Sequence, residues 1–157
     1  MSPEIVSPEG KRFLFRSVGL DAEFASPFAG ADFVCLLWAN VRGVDDLERS
    51  HLAKALIATG CRYAVCAGHD CTAWHDAVDA AFLAQGLSEE EQERRFVMTT
   101  WHDKDSDDDV VFFFVWNTIC DDQEFKNYLV LQIGEAPKRE ARLRKLVLKH
   151  SRGKEAA

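Results

Sequence analysis

Four short apolar runs, DFVCLLWA (32–39), YAVCA (63–67), FVMTTW (96–101) and NYLVLQI (127–133), are each followed by a stretch patterned as a helix. This alternation constrains the chain more than any other feature. A strand that is apolar on both faces has to be covered on both faces, and a strand–helix unit repeated four times predicts parallel strands joined by right-handed crossovers. The expected fold class is therefore α/β: a single three-layer domain with a mainly parallel sheet of about four to five strands and flanking helices, Rossmann-like or flavodoxin-like. With 157 residues, 47% of them hydrophobic, the chain suits one buried core rather than two. The domain is expected over residues 13–150. Residues 1–12, with two Ser-Pro pairs and a glycine, read as a flexible lead-in, and 151–157 as a disordered tail.

The intervening segments carry their own signals. KRFLFRSV (11–18) alternates in the manner of an edge strand. Asp45 or Asp46 is placed to cap a helix reaching about Thr59, with Leu47, Leu52 and the Ala53–Ile57 cluster as its buried stripe and Gly60 at its end. After the second strand Gly68 permits a sharp turn. Asp70 or Thr72 can cap the next helix, in which Trp74, Val78, Ala81 and Phe82 share the core face while His75 and Asp79 stand at i and i+4. VVFFFVW (110–116) reads as strand by propensity alone. The Ser106–Asp109 capping-box start and the acidic first turn select a helix, which would have to be buried. A basic helix is expected from about Lys138 to His150, with Leu143, Leu146 and Val147 turned inward.

Charge, cysteine and hydropathy exclude several classes. The formal charge is −7, and residues 136–157 hold eight Lys/Arg against two Glu, so the remainder carries −13. Such an acidic body argues against nucleic-acid binding, which depends on neutralising phosphates. No apolar run approaches the roughly 20 residues a membrane helix needs, and the first residues lack the pattern of a secretory signal. Five cysteines at irregular spacing suit reduced, mostly buried thiols, and together these features predict a cytoplasmic protein.

WHDAVD (74–79), MTTWHDKDSDDD (98–109) and NYLVLQIGE (127–135), read together, resemble a family of short bacterial proteins known as a domain of unknown function. The resemblance covers roughly residues 32–135. It implies a compact single α/β domain and assigns no catalytic residue.

Parallel strands would gather Asn40 and Arg42, then Gly68, His69 and Asp70, then Trp101, His102 and Asp103, then Gly134 and Glu135 at their carboxyl ends, where ligands sit in open α/β sheets. A carboxylate beside an imidazole orients it for proton transfer, so His102 and Asp103 are the candidate catalytic pair. His69, Asp70, Trp101 and His75 are the candidate ligand contacts, Trp101 as a pocket wall. The plainer reading of Asp70 and Asp103 is helix capping. Cys71, in the first turn of a helix, is a candidate nucleophile against the commoner role of a buried small residue. Zinc, through His69, Cys71, His75, His102 and Asp103, is a minority reading because the spacing fits no zinc knuckle, so no metal ligand is assigned and the cofactor is left open. A calcium loop at 103–109 fails: Asp108 stands where glycine is required and Phe114 where the bidentate Glu should be. Neither a GxxxxGKS/T loop nor a GxGxxG turn is present. Two functions compete: binding of a small anionic or nucleotide-like ligand at the strand ends, and a non-enzymatic acidic module that engages a basic protein through 89–95 and 103–109.

Overall fold

The structure is a computed structural model and describes residues 3–20, 23–120 and 123–153. Its elements in chain order are β1 (Ile5–Val6), β2 (Arg12–Val18), β3 (Phe33–Ala39), α1 (Asp46–Ala58), β4 (Cys61–Gly68), α2 (Cys71–Leu83), α3 (Glu89–Arg94), β5 (Met98–His102), α4 (Asp107–Trp116), β6 (Asn127–Ile133) and α5 (Pro137–Ser151). The strands form one sheet in the order β1-β2-β6-β3-β4-β5. All neighbours are parallel except β1, which runs antiparallel to β2. The fold is thus the expected mainly parallel α/β sheet between helical layers, and the four strand–helix units are β3-α1, β4-α2, β5-α4 and β6-α5.

Each face of the sheet has its own core because side chains alternate along a strand. Cys35, Leu37, Leu129 and Leu131 point to the side covered by α1 and α2, where Trp74, Val78 and Leu56 pack with Phe24 and Phe28 of the 19–32 connection. Val34, Leu36, Val65 and Val130 point to the side covered by α4 and α5, against Phe114, Val115, Leu143 and Val147. All seven residues of β3 are buried, as expected of a central strand.

Residues 110–116 are helical. Ser106 accepts from the Asp109 amide at 3.1 Å, so the cap overrides the strand propensity of the apolar run. The core side of this helix is Val110, Val111, Phe114 and Val115.

Four expectations need correction. Leu47 is 83% exposed; it lies about 150° around α1 from the Leu52–Ile57 stripe, at about 100° per residue, and cannot reach the core. Residues 12–18 are not an edge strand, because Ile5–Val6 of the lead-in pairs outside them. Asp70 occupies the N-cap position of α2 in a left-handed conformation, φ 55°, and makes no side-chain bond to its own helix. The solvated face that a basic helix implies by composition is in part an interface: Arg139 and Arg142 contact Asp107, and Lys149 and His150 contact Asp108, clamping α5 to α4. The expected tail lies outside the described residues from 154 onward. Among the described residues, no helix is long and apolar enough to cross a membrane.

Candidate functional site

The strand order reverses between β3 and β6. From β3 the chain moves outward through β4 to β5, then returns to lay β6 on the other side of β3. The connections leaving β3 and β6 therefore diverge to opposite faces, which makes the crevice where ligands enter open α/β sheets. Here it is stitched shut. Asn40 Nδ2 donates to Gln132 Oε1 at 2.9 Å and to the Gly134 carbonyl at 2.8 Å. Val41 closes over Gly134 so tightly that a Cβ there would stand 2.6 Å from Val41 Cγ2.

The free functional groups lie one strand along, at the ends of β3 and β4. Gly68, φ 84°, lets β4 turn away at a point where a Cβ would meet the Ala39 carbonyl oxygen at 2.4 Å. The His69 amide then donates to that carbonyl at 2.9 Å. Arg42 Nε donates to His69 Nδ1 at 3.3 Å. Because guanidinium only donates, Nδ1 is the acceptor and a neutral His69 ring carries its proton on Nε2. Asp70 Oδ2 accepts from the Gly43 amide at 3.2 Å. That bond turns the carboxylate away from α2 and leaves the first-turn amides of a 13-residue helix without a side-chain cap. Helices α1, α3 and α4 are capped by Asp45, Ser88 and Ser106, while α5, which opens with Pro137, has no side-chain cap either.

In the same helix start the Cys71 thiol is buried, and burial is the main cause pushing its pKa up. A raised thiol is a poor nucleophile at neutral pH, so the packing role prevails. His102 itself is held at both nitrogens: Nδ1 to Asp105 Oδ2 at 2.6 Å and Nε2 to Thr100 Oγ1 at 3.0 Å, with the ring against Phe113. The carboxylate that orients His102 is thus Asp105, three residues on, whereas Asp103 makes no hydrogen bond or ion pair among the described residues. The sequence HDKD offered both carboxylates, and only the bend after β5 selects between them.

His75 lies apart from this pair. Its Nδ1 meets Asp76 at 3.0 Å and its Nε2 lies 3.6 Å from Asp79, the i,i+4 partner. Its ring stands edge-on to Trp101, 4.8 Å between centroids, while Thr99 donates to Asp79 at 2.6 Å. These contacts lash α2 to β5. The candidate residues therefore fall into three groups around the start of α2: Arg42–His69–Asp70, His102–Asp105–Thr100, and His75–Trp101. No hydrogen bond joins one group to another among the described residues, and no group of three or more His, Cys, Asp or Glu there is arranged to hold a metal.

A cavity of about 340 Å³ lies between α1 and α2, lined by Asp46, Arg49, Ser50, Ala73, Asp76, Ala77 and Ala80. Ala73 is in the first turn of α2, so this groove begins beside the uncapped amides. A larger hollow of about 560 Å³, beside Glu89, Gln92, Glu93 and Phe96, lies at the opposite end of the sheet, where β5 begins.

The fold and this arrangement define a mainly parallel α/β domain with a polar, uncapped helix start at its strand ends. Residues 16–150 match the family described as a domain of unknown function, DUF7684, and the chain belongs to it. No curated protein and no solved structure matches the chain.

Proposed function

We propose that the domain binds a small anionic ligand, a phosphate or carboxylate with a nucleotide-like organic part, at the start of α2. The observation that carries this reading is the diverted Asp70. A left-handed aspartate whose carboxylate serves Gly43 leaves the amides of α2 for another acceptor, and helix N-termini favour anions through those amides and the helix dipole. Arg42 and the His69 Nε2 proton add donors on one side. The Ala73, Ala77 and Ala80 groove supplies room within the range of small-ligand sites. In this reading His102 and Asp105 hold the strand end in place rather than meet the ligand.

The test is thermal unfolding against inorganic phosphate, nucleotides and small carboxylates. A ligand at about 100 times its dissociation constant adds about 2.7 kcal/mol of stability. That gain should shrink in Arg42→Ala and His69→Ala, whose own unfolding temperatures stay near wild type because Arg42 is exposed and His69 is only half-buried. A ligand-induced shift that survives in both variants would place binding elsewhere.

The second reading is an acidic module for a basic protein. Phe96 is 43% exposed and borders a hollow with Glu89 and Glu93, which supports it. The 103–109 surface supports it less, since Asp107 and Asp108 are already engaged by α5.

A further inference from the structure

Among the described residues the strand β5 ends the sheet and pairs with β4 alone. Edge strands in native proteins are usually short, charged, bulged or interrupted by proline. The other edge of this sheet follows that rule, since β1 has two residues. MTTWH does not: five residues, no proline, no Lys, Glu, Asp or Arg, and no register shift against β4. Its charges lie only at the two ends. Glu93, Arg94 and Arg95 precede it and Asp103, Lys104 and Asp105 follow it, so the first end is net positive and the second net negative; Arg94, Arg95 and Asp103 have no ion pair among the described residues, while Asp105 meets His102.

We infer that β5 is a self-pairing edge: two copies of the chain join antiparallel along it, about a two-fold axis through Thr100, to make a continuous twelve-stranded sheet from two six-stranded ones. Two constraints select this arrangement. The first is charge. An antiparallel pair sets Arg94 and Arg95 of each copy beside Asp103 and Asp105 of the other, whereas a parallel pair would set arginine against arginine and aspartate against aspartate. The second is the pleat. Residues directly opposite each other share a face, so the axis passes through a residue rather than between two. Thr99 and Trp101 face α2, and Met98 and His102 face the α4 side. An axis at Thr100 matches Thr99 with Trp101 and Met98 with His102, using all five residues. The half-exposed Trp101 then gains a covering neighbour on its own face. Such an interface is isologous, as closed homodimers require, and it is the strand-addition mode of recognition applied to a second copy.

Sedimentation of the full chain across the micromolar range gives the first reading, with a species of twice the 17.7 kDa chain mass expected. Cross-linking then reads the register. In a Cys120→Ser background, Thr100→Cys should oxidise to a disulfide dimer, because directly opposite Cα atoms lie about 4.5–5.5 Å apart, within the roughly 4.4–6.8 Å a disulfide spans. Thr99→Cys should not, because its own copy lies on the diagonal at about 7–8 Å. Arg95→Asp should weaken self-association several-fold. A monomer at every concentration, or a dimer in which Thr99→Cys links as well as Thr100→Cys, overturns the proposal.

Discussion

Trp74, on the core face of α2, is fully buried, and its indole N–H has no hydrogen-bond partner among the described residues. An unsatisfied buried donor costs about 1–3 kcal/mol, while truncating a buried Trp to Ala costs about 3–5 kcal/mol. The two effects separate by substitution. Trp74→Phe keeps most of the ring and removes the donor, so its denaturation midpoint is expected close to wild type, while Trp74→Ala should lose most of that range. A Trp74→Phe variant as unstable as Trp74→Ala would show that indole shape, not hydrophobic volume, holds this face of the core. Residue scale is also where reading from sequence was weakest. The candidate positions His69, Asp70 and His102 were legible because a strand end followed by polar residues is a local pattern. Their partners were not. Asp70 has the residue type of a cap yet turns to Gly43, 27 positions away, and His102 takes Asp105 over the adjacent Asp103. Those choices depend on backbone angles at two bends that no side-chain pattern encodes.

Helices α4 and α5 are held together by opposite charges as well as by apolar contact. Asp108 receives Lys149 at 2.8 Å and His150 at 3.2 Å, and chiefly the Lys149 hydrogen bond holds its carboxyl below the usual aspartate range. A depressed carboxyl contributes stability that is present above its unfolded value, about 3.9, and is lost as pH falls through the lower folded value. Asp108→Asn is therefore expected to unfold more easily than wild type at neutral pH and to converge with it in acid. The pair is over a third exposed, so the difference should be no more than about 1 kcal/mol. Urea unfolding at neutral pH and near pH 3 checks both. At this scale most elements were readable. Ser106 and the three aspartates after it mark α4 against the strand propensity of VVFFFVW, and the amphipathic pattern from Lys138 finds α5 to within one residue of its start at Pro137. Leu47 shows where composition misleads: its apolar side chain suggests a place in the stripe that helical phase denies. The pair Ile5–Val6 leaves no mark in the sequence, because two residues carry no periodicity and become a strand only when β2 is there to bond them.

For the molecule as a whole, the alternation of strands and helices was enough to specify a mainly parallel α/β domain, but strand order was not legible. Parallel strands with both faces covered look alike wherever they stand, and only tertiary packing sets β6 between β2 and β3. That placement predicts a gradient of amide protection. β3 and β6 are buried and paired on both sides, and β1 is a two-residue edge. In native-state hydrogen exchange the amides of β3 and β6 should be the last to exchange and those of β1 among the first. Uniform protection across the sheet would mean that the domain opens only as a unit. The central position of β6 also bears on how the chain is made. Of the strands in this sheet, β6 leaves a ribosome after all the others and is the one that joins β2 to the rest, so a nascent chain that already holds β2 to β5 has an open slot lined by Leu14, Leu36 and Leu37 in place of a finished core. Until residue 133 emerges, two strands wait with unpaired inner edges, and closing that slot is a long-range step of the kind that slows folding and invites association with other unfinished chains.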